Sequence, residues 1–294
     1  MPRRFSLILL LSCALGGPLL RAGEVLRVST FSSVLTEIAE QVGGVRVAVH
    51  GHVKAGVDPH EFEPKPADLE IVSASHLVLL SAKHMEGYVG KLQEATGAAR
   101  RIVEVGDQFP SLKLSAEEGG GVIDDPHWWH SIANVQRAVK VVRDELTKLS
   151  PADRETFAKQ AEAYLAQLEA LQKWVKAKLA ELPRDRRKLV TSHDAFQYFA
   201  RENGFTIYAV EGVSSTDQPS SKKVADLIRT IKEQRVKAVF IESLENPKVL
   251  AEITKETGAK IGGSLFADGL GEGDAATYAG MMKHNVTTIV EALK

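Results

Sequence analysis

Short apolar runs alternate with amphipathic segments in the first half of the chain. Four of the runs have the length and composition of strands, and the segments between them place apolar residues at helical spacing. Glycines close the helices that precede the second and the fourth strand. Strands are predicted at residues 25–30, 45–49, 77–80 and 102–105, and helices at 34–42, 66–74 and 86–95.

The same alternation returns in the second half of the chain. Strands are predicted at residues 189–191, 207–210, 238–241 and 260–265, and helices at 194–203, 221–234, 247–257 and 275–293. Strands that alternate with helices favour parallel sheets covered on both faces. The fold class predicted is therefore α/β, with two α/β halves.

A helical region separates these halves. Residues 106–126 are rich in Asp, Pro, Ser and Gly and predict a surface loop, which a helix over 131–149 follows. A longer helix over 150–183 would measure about 48 Å. We interpret its apolar seam as the face of a helix lying across two domains, and a homodimeric coiled coil is the alternative. The seam comprises Phe157, Ala161, Tyr164, Leu168, Leu171, Val175 and Leu182.

The first 23 residues predict a secretory signal. Arg3 and Arg4 precede an apolar run that is too short to span a bilayer, and small residues follow it. A buried N-terminal strand or helix is the alternative. Cys13 follows a loose lipobox, so lipid anchoring is an alternative to simple cleavage. We expect a periplasmic protein with an N-terminal lobe at 24–149, a linking helix at 150–183 and a C-terminal lobe at 184–294.

Composition narrows the chemistry. The 294 residues are 44% hydrophobic and 26% charged, which is typical of a globular protein. A net charge of −1 shows no basic excess for nucleic acid. The single cysteine excludes a disulfide framework and a Cys-based zinc ribbon. Any metal must therefore be held by carboxylates and by some of the nine histidines.

Four segments carry candidate metal ligands just after predicted strands or just before helices. In open α/β sheets this is the edge where ligands bind. The candidates are separated by 67, 66 and 75 residues, two in each half, so a metal that they share would lie between the halves. Three imidazoles and a carboxylate suit Zn²⁺, and four protein ligands favour binding over hydrolysis. The candidates are His60, His127, His193 and Asp268.

Several neighbours of these candidates invite a role. Asp58, Asp125 and Asp194 each lie close to a candidate histidine and are predicted to accept its second ring N–H, with turn formation or helix capping as the alternative. His130 is either an auxiliary ligand or a surface residue at a helix start. Glu242 either faces the cleft or makes a hydrogen bond between the lobes.

The motifs resemble those of the metal-binding solute-binding proteins of zinc/manganese ABC importers over nearly the whole chain after Val25. The resemblance implies two α/β lobes joined by one rigid long helix, with the metal in the cleft. It implies the four candidates as ligands, and it implies a membrane permease and a cytoplasmic ATPase as partners. It rests on residues 56–64, 125–129, 193–200 and 268–270.

Within this family, a histidine at the third ligand position usually accompanies zinc, so His193 favours Zn²⁺ as the transported ion. Many zinc members also carry a histidine-rich loop, whereas residues 106–126 contain no histidine. That departure keeps Mn²⁺ open, and an importer of Mn²⁺ or Fe²⁺ is the alternative of the same class.

Two further classes remain as alternatives. A secreted zinc hydrolase would need Glu61 or Glu63 as its general base, because the chain has no His-Glu-x-x-His motif. A surface adhesin is the other. We expect a monomeric binding protein that is not an enzyme and does not bind nucleic acid.

Overall fold

The structure is a computed structural model that describes residues 24–97, 101–115, 121–214, 219–242 and 248–294. The predicted signal over 1–23, and with it the lipid anchor at Cys13, lies outside the described residues. Among the helices described, none combines the length and the apolar character that a membrane crossing requires.

The first lobe is built on a four-stranded parallel sheet. Its strands lie in the order β2-β1-β3-β4, and all three neighbouring pairs are parallel. Buried strands such as β3, whose residues are all inaccessible to solvent, read as continuous apolar runs because helices cover both faces. The elements are β1 (Leu26–Thr30), α1 (Ser33–Gly43), β2 (Val47–Gly51), α2 (Pro66–Ala74), β3 (Leu77–Leu80), α3 (Val89–Thr96) and β4 (Arg101–Glu104).

The connection expected to be a plain surface loop has structure of its own. A short 3₁₀ turn at Val105–Gln108 is followed by an antiparallel pair of strands, β5 (Lys113–Ser115) and β6 (Val122–Asp124). Three residues a strand are too few for a detectable period of two, so sequence patterning missed the pair. Helix α4 (Ile132–Leu149) follows, and Ser131 caps it by accepting the N–H of Asn134.

The second lobe repeats the plan of the first. Its parallel sheet has the order β10-β9-β7-β8. The elements are β7 (Lys188–Thr191), α6 (Gln197–Asn203), β8 (Thr206–Ala209), α7 (Ser221–Gln234), β9 (Ala238–Glu242), α8 (Lys248–Thr257), β10 (Lys260–Leu265) and α9 (Tyr278–Leu293). We call β1–α4 the N-lobe and β7–α9 the C-lobe. The predicted α/β class with two lobes is confirmed.

Helix α5 (Arg154–Leu179) joins the lobes and has 26 residues, about 39 Å at 1.5 Å per residue. A 3₁₀ turn at Pro151–Asp153 precedes it and the helix ends at Leu179, so the α-helix is shorter at both ends than the predicted 150–183. Its apolar seam is at most 3% exposed and belongs to the main core of this chain, where α5 packs against α1, α4 and α9. The coiled-coil alternative is wrong, because this single chain already buries the seam that a dimer would need.

Candidate metal centre

Four side chains from both lobes converge on one point. His60 lies between β2 and α2, His127 follows β6, His193 follows β7, and Asp268 follows β10. The ligating atoms of all four lie within 4.8 Å of one another, and no second group of this kind occurs among the residues that the structure describes. Both sheets thus direct their connecting loops to the cleft, as expected for open α/β sheets.

Five of the six distances within this cluster are close to uniform. The Nε2 atom of His127 lies 3.2 Å from that of His60 and 3.3 Å from that of His193. Oδ1 of Asp268 lies 3.4, 3.6 and 3.3 Å from the Nε2 atoms of His60, His127 and His193, respectively. Three imidazole nitrogens and one carboxylate oxygen therefore face a common centre.

The cluster is buried, and it is most accessible to solvent on the side of His60. The side chains of His127 and His193 are 0% exposed and that of Asp268 is 3% exposed, whereas His60 is 9% exposed. His60 lies on the loop between β2 and α2. The side chain of Asp58 stabilises this loop by accepting the backbone N–H of His60 at 2.7 Å. An ion would approach this site most directly past His60.

A carboxylate orients the ring of His127. Oδ1 of Asp125 accepts both the backbone N–H and the ring Nδ1–H of His127, each at 2.9 Å. This is the arrangement that the sequence predicted for Asp125. Because Nδ1 donates to this carboxylate, Nε2 faces the cluster and is the atom that can bind an ion once its own proton is lost.

The ring of His193 has a different partner from the one expected. Its Nδ1 is hydrogen-bonded to Oε2 of Glu242, while Oδ1 of Asp194 accepts the side-chain N–H of Gln197 at 2.7 Å. The role foreseen for Asp194 belongs to Glu242, which lies within the same lobe as His193. Glu242 is a charged residue that ends an otherwise apolar strand, and this was the available signal.

Buried opposite charges set the protonation of the centre. Burial disfavours a charge on His193, but the carboxylates of Glu242 and Asp268 outweigh it and raise its pKa well above the usual range. For His127, the hydrogen bond to Asp125 and the facing carboxylate of Asp268 likewise overcome burial and raise its pKa. Burial opposes the charge of Asp268, yet the three histidines lower its pKa well below the usual range. The centre thus favours a carboxylate beside cationic imidazoles.

One carboxylate oxygen has no acceptable hydrogen bond. Oδ1 of Asp268 is buried, and no donor reaches it with hydrogen-bond geometry. A buried charged acceptor without a partner is costly. A cation at the common centre would satisfy this oxygen and would replace the protons on His127 and His193.

His130 is neither a ligand nor a surface residue. It is 1% exposed and lies outside the four-residue cluster. Its ring lies 4.4 Å from that of Phe196, and its Nε2 is 2.7 Å from the carbonyl oxygen of Ala267. Burial lowers its pKa to about 3, so the ring is neutral. Both sequence interpretations of His130 are corrected.

The residues foreseen as a hydrolytic base do not reach the centre. Glu61 and Glu63 are exposed, and Glu63 pairs with Lys91 at 2.7 Å.

The two tryptophans that follow His127 are buried. Trp128 donates its indole N–H to the carbonyl of Ser81, and Trp129 donates to that of Ala267.

Known proteins resemble this chain along most of its length. The sequence model of the ZnuA family, described as zinc-uptake complex component A, periplasmic, matches residues 28–292. The manganese-binding lipoprotein MntA of Bacillus subtilis (strain 168) is 34% identical over 280 residues, which cover 93% of this chain and 91% of that protein. The zinc-binding protein TroA of Treponema pallidum (strain Nichols) is 34% identical over 279 residues, which cover 92% and 89%.

Solved structures agree with these relatives. The periplasmic zinc-binding protein TroA from Treponema pallidum superposes with a TM-score of 0.84 at 33% identity, covering 92% of this chain and 99% of that one. The two-lobe fold with its long helix is therefore shared. The chain belongs to the ZnuA family, the metal-binding solute-binding proteins of ABC transporters, which are transport components and not enzymes.

Proposed function

We propose that this protein captures Zn²⁺ in the cell envelope, holds it with His60, His127, His193 and Asp268, and delivers it to the permease of an ABC importer. The observation that carries the proposal is the spacing of the four ligating atoms. Five of their separations lie between 3.2 and 3.6 Å.

These five separations are close to those of a tetrahedral zinc site. In a tetrahedron, ligands are separated by about 1.6 times the metal–ligand distance, so Zn–N bonds of about 2.0–2.1 Å give separations of about 3.3–3.4 Å. Nitrogen-rich, four-coordinate sites suit zinc, whereas manganese prefers oxygen ligands in octahedral geometry. The donor set therefore supports zinc over manganese.

The relatives leave the ion to be decided by measurement. One is named for manganese binding and another for zinc binding, at the same 34% identity to this chain. The ligand set, rather than overall similarity, is thus the basis of the choice. Four protein ligands also leave no open position for a metal-bound water, which supports transport over hydrolysis.

The division of the ligands suggests how an ion is released. His60 and His127 come from the N-lobe, and His193 and Asp268 come from the C-lobe. Any movement that separates the lobes breaks the coordination set into two pairs, each too weak to retain the ion. A permease that opens the cleft, driven by its ATPase, would in this way take up the ion.

Competitive titration of the purified, metal-stripped protein with Zn²⁺ and Mn²⁺ against a calibrated chelator tests the proposal. We expect one tight zinc site and much weaker manganese binding. His193→Ala should abolish tight binding, whereas His284→Ala, an exposed histidine on α9, should leave it unchanged. Comparable affinities for both ions would contradict the zinc assignment, and no tight site for either would contradict the function.

A further inference from the structure

The backbone on both sides of Asp268 is anchored by side chains of the other lobe. Trp129 and His130 both donate to the carbonyl oxygen of Ala267, at 2.8 and 2.7 Å. Two residues past Asp268, the N–H of Leu270 is accepted by Oγ of Ser33 at 2.9 Å. The loop that carries this C-lobe side chain is therefore fixed to the N-lobe at both ends.

His130 is the most specific of these anchors. A carbonyl oxygen only accepts hydrogen bonds, so the Nε2 atom of His130 must carry the proton. The ring of His130 also packs against a second C-lobe residue, since its centroid lies 4.4 Å from that of the Phe196 ring. Phe196 lies three residues after His193. One buried ring thus touches the segments that bear both C-lobe members of the cluster.

These anchors limit how far the Asp268 loop can move to make room for further ligands. Two donors occupy the carbonyl of Ala267, and the contact between Ser33 and Leu270 blocks movement on the other side. A six-coordinate ion would need further oxygen ligands within the cluster. To admit them, the carboxylate of Asp268 would have to withdraw or turn, and its backbone is not free to follow.

We propose that His130 is a specificity-determining positioning residue, which favours a small four-coordinate ion by holding the Asp268 loop in place through Ala267. The inference rests on the proposed function, since it concerns the selectivity of the same site. His130 acts on the ion only through the backbone before Asp268.

Two substitutions separate the hydrogen bond of His130 from its packing. His130→Phe keeps an aromatic ring against Phe196 but lacks the donor, whereas His130→Gln keeps a donor without the ring. In chelator competition, His130→Phe should weaken zinc binding about tenfold, the lower end of effects at residues that support metal ligands. Manganese binding should stay the same or improve, so the zinc-to-manganese affinity ratio should fall about tenfold. His130→Gln should recover most of that ratio.

Hydrogen exchange provides a readout that needs no metal. In the metal-free protein, the amide of Leu270 should exchange faster in His130→Phe than in the wild type, because the loop has lost one of its anchors. Unchanged exchange would overturn the positioning role. Should His130→Phe fail to fold, Ser33→Ala removes the anchor at Leu270 instead and should lower the affinity ratio in the same direction.

The outcomes distinguish this inference from the function itself. An unchanged zinc-to-manganese affinity ratio in His130→Phe, including equal weakening of both ions, would overturn the inference. The tight zinc site of the wild type would not be affected by that result. If the wild type bound neither ion, the proposed function would be wrong and the inference would fall with it.

Discussion

Glu242 and His193 form a buried hydrogen-bonded pair although 49 residues separate them in the sequence. The carboxylate ends β9, and the imidazole follows the neighbouring strand β7. The other oxygen of Glu242 accepts the backbone N–H groups of Ser192 and His193, at 3.1 and 3.3 Å. One carboxylate thus fixes both the ring and the backbone of His193 and turns Nε2 towards the cluster.

Glu242→Gln should weaken zinc binding by about 10- to 100-fold, the usual effect of losing the carboxylate behind a ligating histidine. The amide cannot stabilise the imidazole as a carboxylate does, and its NH₂ group opposes the Nδ1–H. Chelator competition measures the change. Asp194→Asn is the matched control beside the same histidine and should change affinity much less, because the Oδ1 of Asp194 bonds Gln197. Equal losses in the two variants would contradict the assignment.

Metal binding should release protons at neutral pH. The pKa values of His127 and His193 are raised in the metal-free centre by their carboxylate neighbours, despite burial. Ligating imidazoles must be neutral, so zinc must displace these protons and bind more tightly as pH rises. Calorimetry at pH 7 in buffers of different ionisation enthalpy should give a heat that depends on the buffer. A heat independent of the buffer would show that both rings are already neutral.

The stability of the metal-free protein should have the opposite pH dependence. Raised histidine pKa values stabilise the folded state fully below about pH 6.5, and this stabilisation is lost as pH rises through the folded values. The thermal midpoint of the stripped protein should therefore be lower at pH 8.5 than at pH 6.5. His193→Asn should reduce that difference. A stripped protein that gained stability over this range would contradict the assigned protonation.

Zinc should stabilise the folded protein by mass action. At a free concentration 100 times the dissociation constant, binding adds about 2.7 kcal/mol, which corresponds to about 4–5 °C in the thermal midpoint of a chain this long. A chelator should reverse the shift. His127→Ala should remove it, whereas His284→Ala should retain it. A shift that persists in His127→Ala would indicate binding elsewhere.

Truncation within the seam of α5 should destabilise the monomer without changing its association. Leu168 is 1% exposed in the main core, so Leu168→Ala should cost about 2–5 kcal/mol in the free energy of unfolding. Lys173→Ala, at an exposed position of the same helix, should cost little. Denaturant titration measures both. Concentration-dependent stability of the wild type would instead indicate that the protein is a dimer.

Much of the fold was predictable because its signals are local. Apolar periodicity identified strands and helices of both lobes, and glycines such as Gly97 and Gly204 marked where helices end. The strands β5 and β6 were missed because three residues cannot establish a period. The sequence could not decide what packs against the α5 seam, for a different reason. An apolar face has the same sequence pattern whether it packs on its own chain or on a second copy.

The candidate cluster was foreseen from motifs, whereas its supporting contacts were not. Asp125 lies two residues from His127, so local sequence was enough to connect them. Glu242, and not the nearer Asp194, is bonded to the ring of His193. The order of strands in the sheet, and not the distance along the chain, decides which carboxylate reaches that ring.

The sequence by itself determined most of the elements, the two-lobe order and the four candidate ligands. Only the tertiary structure decided that these side chains share one centre, that His130 is a buried donor to Ala267, and that the Asp268 loop is held by the opposite lobe. Periodicity and motifs encode what each segment can do locally. Contacts between segments more than 60 residues apart depend on how the lobes pack, which no local pattern records.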